Sequence, residues 1–270
     1  MTYSSLHNLP RMRAALIDME RAVQSYNVWA MLGWNDIRQR YRRSALGPFW
    51  LTISTLITVV IVGPLYGRLM GQDLSTYYPY LAASLILWTL ISGIINESCQ
   101  AFISSEAYIK ELSLPFTLYV CRVVWRNILV FAHNLVALVP LLFFLGASGH
   151  FFFFLWLPGI VAVAINGLFV GIVLATFCAR FRDIPQVVQS FVQVLMFATP
   201  IMWRESSLGK YAWLCLFNPF KYFFDIVRGP MLGEFVPPES LLIVAMLTLL
   251  NFILAFLCLS RCRRRIAFWI

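Results

Sequence analysis

The sequence predicts an all-α membrane protein with six transmembrane helices, and three observations carry that expectation. First, 60% of the 270 residues are hydrophobic and only 12% are charged, against about 25% charged in a soluble domain. Second, the charges are segregated: no Lys, Arg, Asp or Glu falls within 44–67, 74–96, 127–179, 184–203 or 240–260. Third, each of these windows is long enough to span, since a helix needs about 20 apolar residues to cross a hydrocarbon core of roughly 30 Å. A very apolar soluble helical protein is the alternative. Five such windows in one chain would be hard to keep in water.

Four windows hold one span each. The fifth, 127–179, holds two, divided by Gly146-Ala147-Ser148-Gly149-His150. The predicted spans lie near 49–67, 77–98, 123–145, 154–179, 185–203 and 240–260. They imply three regions: an N-terminal region over 1–47, a transmembrane domain over 48–260 and a basic tail over 261–270.

An even number of spans puts both termini on one side. That side carries 16 of the 21 basic residues, including seven Arg before the first span and Arg261, Arg263, Arg264 and Arg265 after the last. The positive-inside rule then places both termini in the cytoplasm. The net charge of +9 follows from this bias and is no sign of a nucleic-acid partner. The first 45 residues are polar and basic, without the apolar core of a cleavable signal peptide.

Residues 10–34 read as an amphipathic helix lying in the membrane interface. Met12, Leu16, Met19 and Val23 recur at helical spacing, with Arg13, Asp18 and Arg21 off that stripe. Trp29 and Trp34 suit the headgroup level. A disordered basic tail is the other reading. The stretch that follows, 36–50, packs Arg38, Arg40, Arg42 and Arg43 against a Gly47-Pro48 break and then the first span. Guanidinium groups pair bidentately with phosphate oxygens. These arginines therefore suit a lipid-linked pyrophosphate at the cytoplasmic mouth; setting topology and attracting anionic lipid is the plainer role.

Between spans 2 and 3, Ser104-Ser105-Glu106 opens a short helix and Leu114-Pro115 closes it. Topology makes it cytoplasmic, with Tyr108, Ile109 and Leu112 available to a partner. Span 4 carries Gly167, Gly171, Ala175 and Ala179 at four-residue spacing, which allows close helix approach. Packing within the chain is the expectation, ahead of a dimer seam. The outer loop over 204–239 holds Leu216-Phe217-Asn218-Pro219-Phe220 and Arg228-Gly229-Pro230. Apolar residues at helical spacing, bounded by Pro and Gly, suggest short re-entrant helices. A pore lid or an interfacial cap would both use them.

The chemistry that is absent narrows the function. No G-x-x-x-x-G-K-[ST] loop is present, nor H-E-x-x-H. The six cysteines show no C-x-x-C pair or zinc spacing and read as reduced packing residues. Glu97 and His133 are the notable ionisable groups inside spans. Carriers driven by protons or sodium usually need intramembrane acids, so a separate ATPase is the expected energy source. Aromatic residues make up 16% of the chain, and their flat faces suit the C–H faces of sugar rings. Most belong to lipid-facing belts. Phe49, Tyr66, Trp88, Phe191, Phe197 and Trp203 are the candidates for a channel lining.

The assembled residues resemble one family. Trp34 through Trp50, Phe181-Arg182-Asp183-Ile184 with Thr199-Pro200-Ile201-Met202-Trp203, and the two outer-loop segments are together similar to polysaccharide-exporting ABC transporter permeases of the type 2 class. The likeness covers nearly the whole chain in order. It is nearest to O-antigen export permeases of Gram-negative bacteria, with capsule and teichoic acid exporters as relatives. Asn35 departs from a position that is more often charged.

The resemblance implies a homodimer paired with two copies of an ATPase subunit in the bacterial inner membrane, without a nucleotide site or catalytic residues of its own. ATP and Mg would sit on the partner, and this chain would hold no cofactor and no metal. The 10–34 helix would be the interface helix. Residues 104–114 would be the coupling helix, touching the ATPase through Glu106, Tyr108, Ile109, Lys110 and Leu112. Residues 204–235 would form periplasmic gate helices with Asn218, Pro219, Phe220 and Arg228. Spans 1 and 5 would line the channel for an undecaprenyl-diphosphate-linked polysaccharide. A membrane-embedded glycolipid transferase is the rival, with only Glu97 and His133 to serve it. An ABC importer is a weaker one, because the 104–115 loop lacks the importers' glycine.

Overall fold

A computed structural model describes residues 10–42, 49–144 and 155–270. Ten α-helices follow in order: α1 (Arg11–Gln24), α2 (Tyr26–Tyr41), α3 (Phe49–Leu69), α4 (Leu74–Ser98), α5 (Glu106–Glu111), α6 (Phe116–Phe144), α7 (Trp156–Arg180), α8 (Ile184–Ala198), α9 (Pro219–Met231) and α10 (Pro238–Trp269). A 3₁₀ turn at Ile103–Ser105 precedes α5, and a longer 3₁₀ run, Glu205–Phe217, precedes α9. No strand occurs among the described residues. Arg43, Gly47-Pro48 and the divider at 146–150 lie outside them.

Among the described residues four helices are long and apolar enough to cross a membrane: α3 over Thr52–Leu69, α4, α7 and α10. In addition, α6 is 29 residues long and carries Arg122 and Arg126 in its first half. The apolar helix α8 has 15 residues, about 22 Å at 1.5 Å per residue, and falls short of a full crossing by itself. Two boundaries differ from the sequence expectation. Helix α6 starts at Phe116, not near 123, and the tail expected over 261–270 is the last two turns of α10. Asp18 binds the first turn of α6 and Arg263 of α10 together.

The predicted 10–34 helix is two helices broken at Ser25, whose backbone N–H returns to the Arg21 carbonyl at 2.9 Å. Its apolar stripe faces outward: Met12, Leu16 and Val23 are exposed. The opposite face of Ala14, Ala15, Asp18 and Ala22 is buried. Small side chains there let α1 lie close against α6 and α10. Hydrophobicity therefore marks the outward face of α1, and smallness marks the face turned to the rest of the protein.

The central helix is α4, with Tyr77 through Ile94 nearly all buried against α3, α6, α7, α8 and α9. The carboxylate of Asp73 caps its start, accepting from the Ser75 backbone at 3.3 Å and the Ser75 hydroxyl at 2.5 Å. The turn before it needs Gly71 at φ +61°, a left-handed conformation that other residues adopt at a cost. The small stripe of α7 packs within the chain: a Cβ on Gly171 would stand 2.6 Å from Ser98 Oγ, and one on Gly167 2.9 Å from Ile94 Cγ2. On the other side of α7, Asn166 donates to Thr248 Oγ1 at 2.7 Å and accepts from Asn251 at 2.9 Å. Such polar pairs bind helices in apolar surroundings.

Candidate functional site

The site grows from the end of α4 at Glu97, where α2 and α6 converge. Helix α2 comes close because Gly33 lies against α6; a Cβ there would meet Trp125 Cδ1 at 3.0 Å and the Arg122 carbonyl at 3.2 Å. This approach brings Asp36 onto two arginines one turn apart. Arg122 holds it with Nε at 2.7 Å and with Nη2, and Arg126 Nη1 adds a third bond at 2.7 Å. Arg126 also reaches Glu97 Oε2 through Nη2 at 2.7 Å and Nε at 3.1 Å. The Asn127 amide donates to the same oxygen at 2.6 Å. Glu97 Oε1 then accepts from Arg40 at 3.0 Å.

The result is a chain of alternating charge, Arg122–Asp36–Arg126–Glu97–Arg40, tying α2, α4 and α6 together. Paired, well-bonded charges are the form in which partly buried ions are stable. Glu97 is thus the hub of an interhelical network, with every described contact going to a cation or an amide.

Of the arginines expected at the mouth, Arg40 is half-exposed and bound to Glu97. Arg38 and Arg42 are exposed, and Arg43 lies outside the described residues. His133 stands edge-on to Phe49, with ring centres 4.9 Å apart, and its Nε2 is buried without a hydrogen-bond partner among the described residues.

Helix α5 buries none of its residues. Lys110 pairs with Glu106 at 2.5 Å, and this hydrogen bond holds the Glu106 carboxyl below its usual range. Tyr108 and Leu112 are exposed, and Ile109 packs partly against the core. The Arg122 guanidinium lies 5.9 Å from the Tyr108 ring centre, within cation–π reach. The exposed helix is thereby connected to the ionic network.

Phe49, Phe191 and Phe197 are exposed, while Tyr66 and Trp203 are partly buried. Trp88 lies differently. It is 6% exposed and packs edge-on against Phe220, with ring centres 5.6 Å apart. Its indole is core, placed inward by the enclosure of α4, and it lines no open surface of this chain.

The 204–235 segment has two parts. The 3₁₀ run bends at Gly209, φ +52°, and α9 then enters the helix packing with Tyr222 through Met231 largely buried. Asn218 caps α9, accepting from the Phe220 N–H at 2.9 Å, and its amide donates to the Ala198 carbonyl and to Thr199 Oγ1. Pro219 at the first helical position needs no donor. Arg228 is buried and donates to the Pro200 carbonyl at 2.6 Å and to Ser84 Oγ at 3.0 Å.

Sequence reasoning missed Asp18, Asp36, Arg122, Arg126 and Asn127. Arg122 and Arg126 were visible as cations four apart beside a long apolar run. Their acidic partners lie on other helices, which no local spacing reveals. Among the described residues no group of three His, Cys, Asp or Glu is arranged to hold a metal ion, and the six cysteines are free thiols.

The profile of the ABC-2 type transporter family matches residues 27–232, from α2 through α9. The chain belongs to the ABC-2 type transporter family. The matched region of the transporter contains the whole ionic network, α5 and the α9 segment. Two curated relatives are similar to it, both described as O-antigen export system permease protein RfbA. The one from Klebsiella pneumoniae is 24% identical over 189 residues, covering 68% of this chain and 72% of the relative. The one from Myxococcus xanthus is 23% identical over 177 residues, covering 64% of this chain and 66% of the relative. The transporter is accordingly a membrane chain of an ABC system, and its helices perform transport rather than catalysis.

Proposed function

We propose that this chain is the transmembrane subunit of an ABC exporter that moves an O-antigen-type polysaccharide, carried on undecaprenyl diphosphate, from cytoplasm to periplasm. A separate ATPase drives it. One observation carries the reading: α5 buries none of its residues and is coupled through Tyr108 to the network on α2, α4 and α6, in an ABC-2 family chain without a phosphate-binding loop of its own. A force applied at α5 would reach three helices through charged contacts. The names of the two relatives support the substrate class.

In this reading two copies of the chain pair with two ATPase subunits in the bacterial inner membrane, both termini cytoplasmic. The spans are α3, α4, α6, α7, α8 and α10, with Thr199–Trp203 completing the short α8. The exposed faces of α3 and α8, bearing Phe49, Phe191 and Phe197, line the path between copies. Arg38, Arg40, Arg42 and Arg43 meet the diphosphate at the cytoplasmic mouth. Asn218, Pro219, Phe220 and Arg228 hold the outer gate.

Deletion of the gene followed by fractionation tests the function. Lipid-linked polysaccharide is expected to accumulate inside the cell while surface polysaccharide disappears, with both reversed by the intact gene. Unchanged surface polysaccharide would overturn the reading. Recovery of the transporter without a bound ATPase, after mild solubilisation, would overturn the partner assignment.

A further inference from the structure

At the end of α4 opposite Glu97, two arginines from different segments share one aromatic ring. The Arg228 guanidinium lies 4.2 Å from the Tyr80 ring centre and the Arg204 guanidinium 5.0 Å from it. The ring is fixed, because the Tyr80 hydroxyl donates to the carbonyls of Pro200 and Trp203, each at 2.8 Å. Arg228 spends Nη1 on Ser84 Oγ and the Pro200 carbonyl. Arg204 spends Nη2 on the Thr76 carbonyl at 3.1 Å.

Among the described residues no carboxylate lies within 4.0 Å of either arginine, while nearby Lys221 is matched to Glu205 and Asp225. Both Nε–H groups are buried and lack a hydrogen-bond partner among the described residues. A buried guanidinium without an opposite charge is unfavourable, and contact with an aromatic face offsets only part of that. An orphaned buried donor adds to the penalty. Two such donors sit on two cations against one ring.

We infer that Arg204 and Arg228 form an anion site for a phosphate-bearing lipid headgroup. Planar guanidinium forks match paired phosphate oxygens. Lipid phosphates are the anions concentrated at a membrane edge. The site is about 26 Å along α4 from Glu97 at 1.5 Å per residue, so it is separate from the basic cluster on α2. The inference does not depend on the direction of transport or on the sugar carried.

The test uses the transporter complex purified in lipid-depleted detergent micelles, with Arg38→Gln and Arg42→Gln introduced to silence the other basic cluster. One arm titrates farnesyl diphosphate and follows thermal stability and binding. The other counts phosphatidylglycerol retained in native mass spectra. Arg204→Gln, at a partly exposed residue, is the main variant; Arg228→Lys keeps the charge but removes the fork. Farnesyl diphosphate binding that falls about tenfold or more in Arg204→Gln supports the site with a diphosphate lipid as occupant. Retained phosphatidylglycerol that is lost in Arg204→Gln and blocks farnesyl diphosphate supports it with a membrane phospholipid. Equal binding and equal lipid retention in the parent and Arg204→Gln complexes would overturn the proposal and leave the two Nε–H groups to water.

Discussion

The carboxylate of Asp18 accepts a hydrogen bond from the backbone N–H of Thr117 at 3.0 Å, across 99 residues of sequence. It also accepts from the Phe116 N–H at 3.1 Å, the Thr117 hydroxyl at 2.9 Å and Arg263 Nε at 3.0 Å. One side chain of α1 thus caps α6 and pairs with α10. An anion at a helix start is stabilised by the unsatisfied N–H groups and the helix dipole.

Asp18→Ala is expected to destabilise the chain by about 3–5 kcal/mol, the range for breaking a buried charge pair. It leaves the Arg263 charge buried and uncaps α6. Thermal unfolding in detergent measures the loss. Adding Arg263→Met should recover part of it, because the pair then goes together. A melting temperature unchanged by Asp18→Ala would refute the clamp.

Gly93 has a comparable role in the ionic network. A Cβ at this position would sit 2.3 Å from Asn127 Oδ1, and the Asn127 amide is held by Glu97 and the Val123 carbonyl. Gly93→Ala is therefore expected to cost about 1–3 kcal/mol through overpacking. In the Gly93→Ala, Asn127→Ala double variant the two effects should be clearly less than additive. Strict additivity in melting experiments would mean that the contact carries no energy.

The pair on α5 separates a structural from a coupling role. Exchanging Glu106 and Lys110 keeps opposite charges one turn apart, in the weaker order for a helix, while inverting the pattern shown to a partner. ATP hydrolysis by the complex should persist while export falls severalfold. Export at the parent level would remove α5 from coupling.

The pH dependence of this pair follows from the lowered Glu106 carboxyl. Its contribution is fully present above the ordinary carboxylate range near about 4.3 and is lost only as pH falls through the lower folded value. Coupling measured between about pH 6 and 8 should therefore show no step from Glu106. A step in that window that disappears in Glu106→Gln would contradict the assignment.

Cysteine substitution distinguishes channel from core among the aromatics. In a background free of native cysteines, Phe191→Cys and Phe197→Cys should react with a membrane-impermeant maleimide in the working complex. Trp88→Cys should stay unreactive, because Trp88 is packed on Phe220. Unreactive positions on α8 would assign that face to lipid.

The course of α4 was legible because its charge-free window ends at Glu97, and the start of α9 because Asn218-Pro219 is a helix-start signal. The outward stripe of α1 was legible as Met12, Leu16 and Val23, yet the protein-facing side was not, since Ala15 and Ala22 carry no strong hydrophobic signal. Asp18 looked like a solvated charge off that stripe. Trp88 looked like a pore aromatic, because side-chain chemistry does not say whether an indole faces outward or inward.

The sequence by itself determined the all-helical membrane class, the approximate places of the apolar helices and the family, all of which depend on local composition, charge spacing and short motifs. Tertiary structure alone decided which charges pair. Asp18 with Arg263, Asp36 with Arg122 and Arg126, and Glu97 with Arg40 are set by helix approach at small residues such as Gly33 and Gly93. The reason is physical: hydrophobic segregation is written along the chain, whereas an ion pair depends on distances of about 3 Å between side chains on different helices.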